Sequence, residues 1–520
     1  MPLTPAKVEK ALLQFNYFPR IAKRADEFPP CFSSEDFTSE LASKLINIPI
    51  ARKDGFGVIS ARSTRFDLAP RSLEIPHPRA YANLVRNLKS SWPEWEEVVE
   101  NEVSAITVRL HEDGRIFSME ALADRSSLLS PGDRFEAHVD ISNFYGSIYT
   151  HSLPWAIHGV DAAKKIRENA GEWSNQLDKR LRESRRRETT GISAGPGTSS
   201  IIGEILLTRV DTRLTAQGFN YLRFIDDYYF YAKSRETAEQ FVEALRAELL
   251  NLKLSIHPGK TTIKELPVAA TPQWMRRLRL MGRELSTQTR VLDLLAEAVA
   301  VANEDSENGV LRFALVQIEH ALLKDNLLDS EKMVVLNRLL HLGYLRPVAV
   351  GIACRILLVF GSEKTAEFAD ALNLIAQAHS RTLRTDAVTW ILYTLLAAQQ
   401  IPSAKTLDAI VSSADCLALA LLAKHEKTRG HAMQFLDNFE ASEPSDYRRD
   451  EYWLLYHELS LKTTLRSNVP LNYYSELKPL RDAGVSFVSI PNNESNSDDL
   501  LSAFIANFQS YSAPNYGIFY

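Results

Sequence analysis

The stretch FNYLRFIDDYYFYAKS, residues 219–234, carries two adjacent aspartates, Asp226 and Asp227, inside an aromatic run of high strand propensity. Like charges at a hairpin tip cost stability unless a cation offsets them, and Asp-Asp is poorer turn chemistry than Asn-Gly or Asp-Gly. The stretch therefore predicts a β-hairpin with an Asp-Asp tip, which is either a solvated turn or a metal site. The rest of the sequence has to decide between these two.

Length and composition describe a globular chain of more than one domain. Its 520 residues, 45% of them hydrophobic, suffice for about two to four domains. A net charge of −5 excludes a globally basic nucleic-acid binder, so any such contact needs local patches. The three widely spaced cysteines argue against a disulfide framework or a zinc site. Without an apolar leader or a bilayer-length apolar run, we expect a cytoplasmic protein with no membrane partner.

Three zones follow one another along the chain. Up to about residue 130 the pattern is mixed, and from 135 to about 263 strands and helices alternate, as in an α/β or α+β core. From about 291 to about 461, Leu, Ala and Val recur at helical spacing without a fixed-period repeat. The last segment is polar and then aromatic, which is typical of a loop followed by a docked or mobile tail.

Two segments before the hairpin complete the middle zone. In RFEAHVDISNFYGSIY, residues 134–149, apolar and polar residues alternate as in a half-buried strand, with Asp140 near its end on the polar face. Taken alone, Asp140 is an ordinary strand-terminating aspartate. The glycine-rich GISAGPGTSS, residues 191–200, then leads into a helix that Thr198, Ser199 or Ser200 is expected to cap.

After the hairpin, LKLSIHPGKTTI, residues 252–263, predicts a strand, a turn and a strand, with Lys260 just beyond the turn. Asp140 and the Asp226–Asp227 pair thus stand on strands that an alternating fold makes neighbours. Two-metal phosphoryl transfer needs carboxylates from two adjacent strands around Mg²⁺ ions about 3.5–4 Å apart. The order of the segments supplies such a site.

These segments together resemble the reverse transcriptases. DISNFYGSIYTHSLPW (140–155) is similar to motif A, GISAGPGTSS to motif B, FIDD (224–227) to motif C, and LSIHPGKTTI (254–263) to motif D. RSLEIPHP (71–78) resembles a fingers segment of the same enzymes. The resemblance covers about residues 60–265 in the expected order.

Within that family, FYGSIYTHSLPWAIHG (144–159) and the long helical C-terminal half are most similar to the phage-defence reverse transcriptases of the bacterial abortive-infection group. The resemblance implies an α+β fold of fingers and palm, followed by an all-α HEAT-like domain in place of the thumb. Its expected regions are an N-terminal segment with fingers (1–134), a palm with motifs A to D (135–284), and the helical domain with its tail (285–520). It also implies a homo-oligomer, a trimer or a hexamer.

The resemblance assigns catalytic and metal-binding roles to three residues. Asp140 and Asp226 are the expected ligands of two Mg²⁺ ions, with Mn²⁺ as the alternative metal, and Asp227 supports the site. At Phe224 the sequence departs from the usual tyrosine of motif C, and the loss of its hydroxyl weakens the case for ordinary templated synthesis.

Five further residues match nucleotide-binding positions. Tyr145 is expected to close against a nucleotide 2′-OH and to favour deoxynucleotides by exclusion, with a core aromatic as the alternative. Lys260 is expected to protonate or neutralise the leaving pyrophosphate, and Arg71 to hold the triphosphate; a solvated lysine and a surface arginine are the alternatives. Gly195 and Pro196 shape the loop under the nascent base pair.

Protein priming requires a hydroxyl that reaches the metals, and tyrosine is the better nucleophile than serine because of its lower pKa. Tyr17 is the first candidate, with an aromatic anchor for the N-terminal segment as its alternative. The tail offers Tyr511, Tyr516 and Tyr520.

The predicted function is metal-dependent DNA synthesis from dNTPs in anti-phage abortive infection, primed by the protein and independent of a template. The alternative is a templated RNA-directed DNA polymerase that copies a dedicated RNA. The partners are dNTPs and a DNA product attached to the protein, or RNA in the alternative. Two basic runs, 179–187 and 275–283, are candidates for phosphate contact, with solvated helix faces as their alternative. A binding scaffold derived from a polymerase is disfavoured by the intact aspartates.

Overall fold

The computed structural model describes residues 4–19, 27–50, 52–65, 69–99, 103–104, 106–108, 117–119, 128–169, 171–268, 271–304, 309–324, 326–462 and 471–490. The polar and aromatic tail with its three candidate tyrosines lies outside the described residues.

The strands of the described residues form three antiparallel sheets. They are β1 (Val58–Arg65), β2 (Ala69–Pro76), β3 (Ile106–Val108), β4 (Phe117–Met119), β5 (Phe135–Asp140), β6 (Tyr221–Phe224), β7 (Asp227–Ala232) and β8 (Thr262–Glu265). β1 pairs with β2, β3 pairs with β4, and the remaining four make one sheet in the order β6-β7-β5-β8.

Helices surround these sheets and make up most of the described chain after residue 273. They are α1 (Pro5–Phe15), α2 (Ser39–Ile46), α3 (Pro78–Ser90), α4 (Trp92–Val99), α5 (Phe144–Ser147), α6 (Ser152–His158), α7 (Val160–Lys165), α8 (Trp173–Glu183), α9 (Gly197–Ala216), α10 (Arg235–Asn251), α11 (Gln273–Met281), α12 (Gln288–Glu304), α13 (Val310–Leu322), α14 (Asp329–Leu345), α15 (Val348–Phe360), α16 (Ser362–Glu367), α17 (Ala369–Arg381), α18 (Thr385–Ala397), α19 (Ala404–Ser413), α20 (Cys416–Lys424), α21 (Arg429–Glu440), α22 (Asp446–Asp450), α23 (Trp453–Lys462) and α24 (Leu471–Asp482), with a short 3₁₀ turn at Gly282–Glu284.

The four-stranded sheet puts its apolar face against helices and leaves its polar face for the site. In β5 the side chains of Ala137 and Val139 are buried in the core, whereas His138 is only half-buried. α10 packs against β5 and β7. Because strand residues alternate between faces, this pattern directs His138 and Asp140 to the opposite side of the sheet. The alternation read from the sequence is thus confirmed.

The helix after the glycine-rich loop begins earlier than predicted. α9 starts at Gly197, and its N-cap position is Pro196, which offers no side-chain cap. Capping by Thr198, Ser199 or Ser200 was therefore wrong. Ser199 Oγ instead donates to the Ser193 carbonyl at 2.5 Å, so the hydroxyl closes the preceding loop. The helix is buried along most of its length, which makes it the central element behind the sheet.

The helical C-terminal region does not stand apart from the β1–β2 hairpin. The Thr64 N–H donates to Asp386 Oδ2 at 2.6 Å, and the Gly57 N–H donates to Asp450 Oδ2 at 2.8 Å. Both acceptors belong to the helical region, in α18 and α22. Backbone donors of β1 and of the residue just before it are thereby satisfied, as an exposed edge strand requires. The buried apolar residues form one continuous cluster from α1 to the segment after α24.

The carboxylate of Asp450 predicts a pH dependence of this junction. Burial raises the pKa of Asp450 to about 7, and the Arg52 guanidinium opposes the rise only in part. Since the pKa is higher in the folded chain, the stabilisation from this proton is complete below about pH 4 and is lost as the pH rises through about 7. We expect Asp450→Asn to reduce the fall in melting temperature between about pH 5 and about pH 8.

The matched control is Asp446→Asn, because Asp446 pairs with the same Arg52 at 3.2 Å but its side chain is 68% exposed. Its thermal unfolding should follow the same pH dependence as the unsubstituted chain. If the melting temperature changes equally with pH in all three proteins, the prediction is wrong.

Candidate active site

The hairpin turn differs by one residue from the predicted Asp-Asp tip. Phe224 pairs with Asp227, so the two turn residues are Ile225 and Asp226, and Asp227 is the first residue of β7. Ile225 has φ of 57°, in the left-handed region that a β-branched residue rarely adopts. Strained backbone of this kind persists only where surrounding structure holds it, and it often lies at functional sites.

Two of the three aspartates stand directly opposite each other. Asp140 on β5 pairs with Asp227 on β7, and the backbone oxygen of Asp226 accepts from the Ile141 N–H at 3.2 Å. Residues opposite each other in an antiparallel pair present their side chains on the same face, about 4.5–5.5 Å apart at Cβ. The fold therefore brings residues that are far apart in sequence to one end of the sheet.

Each of the two opposed carboxylates is contacted by a nitrogen atom of a neighbouring side chain. The Lys260 Nζ lies 2.9 Å from Asp140 Oδ2, and the Asp140 side chain is almost fully buried. His138 Nε2 lies 3.0 Å from Asp227 Oδ1, and its ring stacks on Tyr229 with centroids 4.5 Å apart. Opposed like charges destabilise a sheet, so these contacts offset a repulsion that the pairing creates.

The donor set fits a hard divalent cation. Asp140, Asp226 and Asp227 offer carboxylate oxygens, the ligands that Mg²⁺ prefers, from adjacent strands and the turn between them. Within the described residues, no group of three or more His, Cys, Asp or Glu side chains already converges as a metal cage. With Lys260 on Asp140 and His138 on Asp227, these carboxylates face neighbours rather than one common point.

Tyr145 lies beside this end of the sheet, on the short helix α5. Burial raises the pKa of Tyr145 to about 12, while a hydrogen bond with Ser200 and the nearby Arg71 act in the opposite direction. The charge of Asp226 also raises this pKa. Tyr145 thus lies within electrostatic reach of Asp226 and of Arg71.

Arg71 lies on β2, and its half-exposed side chain is paired with Glu27 at 3.3 Å. Lys260 contacts Asp140 directly, whereas Arg71 is connected with the site only by its electrostatic effect on Tyr145. Triphosphate binding by Arg71 and Lys260 stays a prediction.

The glycine-rich loop packs against the N-terminal segment. A Cβ on Gly195, whose φ is 127°, would lie 2.7 Å from Pro19 Cγ, and one on Gly197 would lie 2.7 Å from Asn16 Cβ. The Gly197 N–H donates to the Asn16 carbonyl at 2.8 Å. Pro196, which lies between the two glycines in sequence, is buried. Glycine is therefore required at both positions by close approach.

The structure does not bring Tyr17 to the site. Its side chain is fully buried, its hydroxyl donates to the Pro76 carbonyl at 2.5 Å, and its ring stacks on Tyr81 with centroids 4.4 Å apart. Burial raises the pKa of Tyr17 well above its ordinary value. This placement favours the aromatic anchor for the N-terminal segment, and priming from Tyr17 stays a prediction.

Sequence reasoning missed the charged group behind the hairpin. Arg223, inside β6, is fully buried and contacts Glu204 and Asp211 on α9. A charged residue in the middle of an apolar strand was the signal, because a buried charge requires partners. His138 was also missed. It lies two residues before Asp140 on β5, and only the pairing of β5 with β7 brings it close to Asp227.

Ion pairs engage much of the first basic run. Arg180 pairs with Glu183 and Arg182 with Asp178 within α8, while Arg185 and Arg186 pair with Glu74 and Glu451 in other parts of the fold. These contacts favour a structural role for residues 179–187. In the second run, Arg276 and Arg283 are exposed, as phosphate contact requires, whereas the exposed Arg277 pairs with Glu297 at 2.9 Å.

The four-stranded antiparallel sheet carries Asp140 at the end of one strand and Asp226 and Asp227 on the adjoining hairpin, which is the arrangement expected for a polymerase palm. Residues 100–285 match the family model described as reverse transcriptase (RNA-dependent DNA polymerase). The chain thus carries a reverse transcriptase-type domain, that of a nucleotidyltransferase of the RNA-directed DNA polymerase type. The match includes all three aspartates and Lys260.

Two solved structures show a weaker likeness. Apo telomerase from Candida tropicalis, truncated from its C-terminal domain, is 12% identical with a TM-score of 0.29, over 46% of this chain and 57% of that one. Telomerase from Candida albicans in complex with a TWJ fragment of telomeric RNA is 11% identical with a TM-score of 0.28, over 79% of this chain and 71% of that one. The chain spans little more than half of the first structure, and TM-scores this low carry no argument about function.

No curated protein matches the chain in sequence. Among the described residues, no helix combines the length and the apolar character that crossing a bilayer demands.

The close approach at Gly197 predicts a loss of stability on substitution. We expect Gly197→Ala to lower the free energy of unfolding by about 1–3 kcal/mol, the usual cost of overpacking, because the new Cβ displaces Asn16. Chemical denaturation measures the difference. Gly430→Ala is the control, since a Cβ there meets no heavy atom within 4 Å. Equal stability of the Gly197 variant and the unsubstituted chain would contradict the expectation.

Proposed function

We propose that this protein is a metal-dependent DNA polymerase that links dNTPs through the site formed by Asp140, Asp226 and Asp227. The observation that carries the proposal is the pairing of Asp140 with Asp227 beside the Asp226 turn, inside a domain that matches the reverse transcriptase model. In this proposal the three carboxylates hold Mg²⁺ or Mn²⁺. When bound, the metal supplies activation of the attacking hydroxyl and neutralisation of phosphate charge.

The remaining groups position the nucleotide. Arg71 and Lys260 bind the phosphates through charge-assisted hydrogen bonds, and Lys260 gives up its contact with Asp140 as it does so. The ring of Tyr145, held by core packing and by Ser200, excludes a ribose 2′-OH. Gly195 and Pro196 support the base from the glycine-rich loop.

We further propose template-independent, protein-primed synthesis in anti-phage abortive infection, by a cytoplasmic homo-oligomer whose helical region is a HEAT-like replacement of the thumb. The resemblance of residues 144–159 and of the helical half to the abortive-infection group supports this. The packing of residues 16–19 on the glycine-rich loop also supports it, because that segment lies against the loop expected under a nascent pair. Tyr17 is the candidate priming residue, and its hydroxyl would have to leave the Pro76 carbonyl and the core to reach the site.

The second candidate is templated synthesis on a dedicated RNA. The description of the matching family, which names RNA-dependent DNA synthesis, favours it. It requires a bound structured RNA and leaves no DNA attached to the protein.

The test incubates the purified full chain with Mg²⁺ and dNTPs, without template or primer. We expect a slower-migrating protein band that survives denaturation and disappears with DNase. Asp226→Ala should reduce incorporation about a thousandfold, since it removes several kcal/mol of metal stabilisation. The control Asp408→Ala, an exposed carboxylate on α19, should leave incorporation unchanged.

Three outcomes separate the proposals. Incorporation that appears only when RNA is added, without attached DNA, supports the templated candidate. Incorporation that persists in Asp226→Ala, or none under either condition, rules out the polymerase site. Peptide mapping of an attached product identifies the priming residue.

Tyr145 provides a test of sugar selection. We expect Tyr145→Ala to lower the preference for dNTPs over rNTPs by about tenfold to a hundredfold, because the ring that blocks the 2′-OH is gone. Tyr145→Phe keeps the ring and should keep the preference. The ratio of kcat/KM for matched dNTP and rNTP measures the effect, and an unchanged ratio in Tyr145→Ala would place the ring in the core alone.

A further inference from the structure

Arg223 on β6 is a fully buried charge directly behind the catalytic hairpin. Its guanidinium contacts two carboxylates of α9. Nε and Nη2 lie 2.9 and 2.7 Å from Asp211 Oδ2, while Nη1 and Nη2 lie 2.9 and 3.0 Å from Glu204 Oε1 and Oε2. α9 is the helix that follows the glycine-rich loop, so Arg223 joins that helix to the hairpin strand.

Neutral side chains complete the hydrogen bonds of the two carboxylates. The Tyr221 hydroxyl donates to Asp211 Oδ1 at 2.7 Å, and Ser104 Oγ donates to Glu204 Oε2 at 3.1 Å. Both carboxylates are therefore fixed on two sides. A guanidinium held in this way is a rigid planar donor.

One more donor contact of this guanidinium reaches the turn. Arg223 Nη1 donates to the carbonyl oxygen of Ile225 at 2.9 Å. Ile225 is the residue whose φ of 57° strains a β-branched side chain, and Asp226 follows it directly. The peptide that links Ile225 to Asp226 is thus held by a charge anchored on α9.

Stability alone does not account for this arrangement. Buried ionic groups often lose as much in desolvation as they gain in attraction, and replacing them with well-packed apolar residues is often neutral for stability. Here one cation faces two carboxylates, so the local charge is unbalanced as well. The contact with the strained turn is the feature that an apolar replacement would not reproduce.

We propose that Arg223 is a positioning residue, which holds the Ile225–Asp226 turn through the Ile225 carbonyl and so directs the Asp226 carboxylate toward Asp140 and Asp227. Glu204 and Asp211 are its anchor. The inference rests on the proposed function, because the orientation of the Asp226 carboxylate matters only if that carboxylate binds a metal.

The test compares Arg223→Lys with Arg355→Lys in the full chain. Lysine keeps the charge but has no planar fork that spans both carboxylates and the Ile225 carbonyl. Arg355 is the matched control, since it is also buried and pairs with Glu319 through Nε and Nη2 at 2.7 and 2.9 Å, in the helical region. Mn²⁺ binding is followed by electron paramagnetic resonance, nucleotide incorporation by kcat and KM, and folding by thermal unfolding.

We expect Arg223→Lys to weaken Mn²⁺ binding about tenfold and to lower kcat more than it raises KM, while Arg355→Lys changes both less than about twofold. Adding Ile225→Gly to Arg223→Lys should restore most of the lost Mn²⁺ affinity. Glycine adopts a positive φ without cost, so the turn no longer depends on the guanidinium.

Two results overturn the inference. One is an equal loss of Mn²⁺ affinity in the Arg223 and Arg355 variants, and the other is a failure of Ile225→Gly to restore any affinity. If Arg223→Lys shows no cooperative unfolding transition, Tyr221→Phe takes its place, because it frees Asp211 without exposing a charge. About twofold weaker Mn²⁺ binding then supports the inference and unchanged binding overturns it.

The metal readout separates this inference from the proposed function. Suppose that the unsubstituted chain binds Mn²⁺ but incorporates no nucleotide, and that Asp226→Ala abolishes the binding. The polymerase proposal then fails, while the Mn²⁺ affinities of the Arg223 and Arg355 variants still test the positioning role of Arg223. If the unsubstituted chain binds no Mn²⁺, both fail.

Discussion

The pairing of Asp140 with Asp227 across two antiparallel strands is the constraint from which the rest of the site follows. It places two acidic side chains on one face of a sheet, where each raises the electrostatic cost of the other. His138, two residues before Asp140 on β5, and Lys260, in the turn before β8, lie against them at hydrogen-bonding distance. In the proposed function this concentrated negative charge binds a divalent cation.

Behind the sheet, the buried helix α9 fixes the position of the strand that leads into the aspartate hairpin. α9 is buried along most of its length and carries the glycine-rich loop at one end and the two carboxylates that bind Arg223 further along. The same helix therefore contacts both the loop that faces the N-terminal segment and the strand that carries the hairpin. Sites built on rigid elements hold their geometry better than sites on free loops.

The helical C-terminal region is coupled to the β1–β2 hairpin through several contacts rather than at one point. Its residues Asp386 and Asp450 accept hydrogen bonds from backbone donors at β1, and the aromatic rings of Trp453 and Phe487 pack against Tyr17. Movement of the β1–β2 hairpin relative to the helical region would therefore have to break these buried hydrogen bonds. This coupling depends on side chains that are hundreds of residues apart in sequence, for which no local pattern exists.

Local pattern sufficed for the alternating strand that ends at Asp140, for the aspartate hairpin apart from its exact turn residues, and for the helices after residue 291. Each of these depends on periodicity and on neighbours in sequence. The order of the motifs was enough to associate Asp140 with Asp226 and Asp227. The true turn residues, the start of α9 at Gly197, the burial of Tyr17 and the partners of Arg223 came from the three-dimensional packing. Each of these is set by strand register or by contacts between distant segments, and a one-residue shift in register or a buried charge partner leaves no signature in the spacing of residues along the chain.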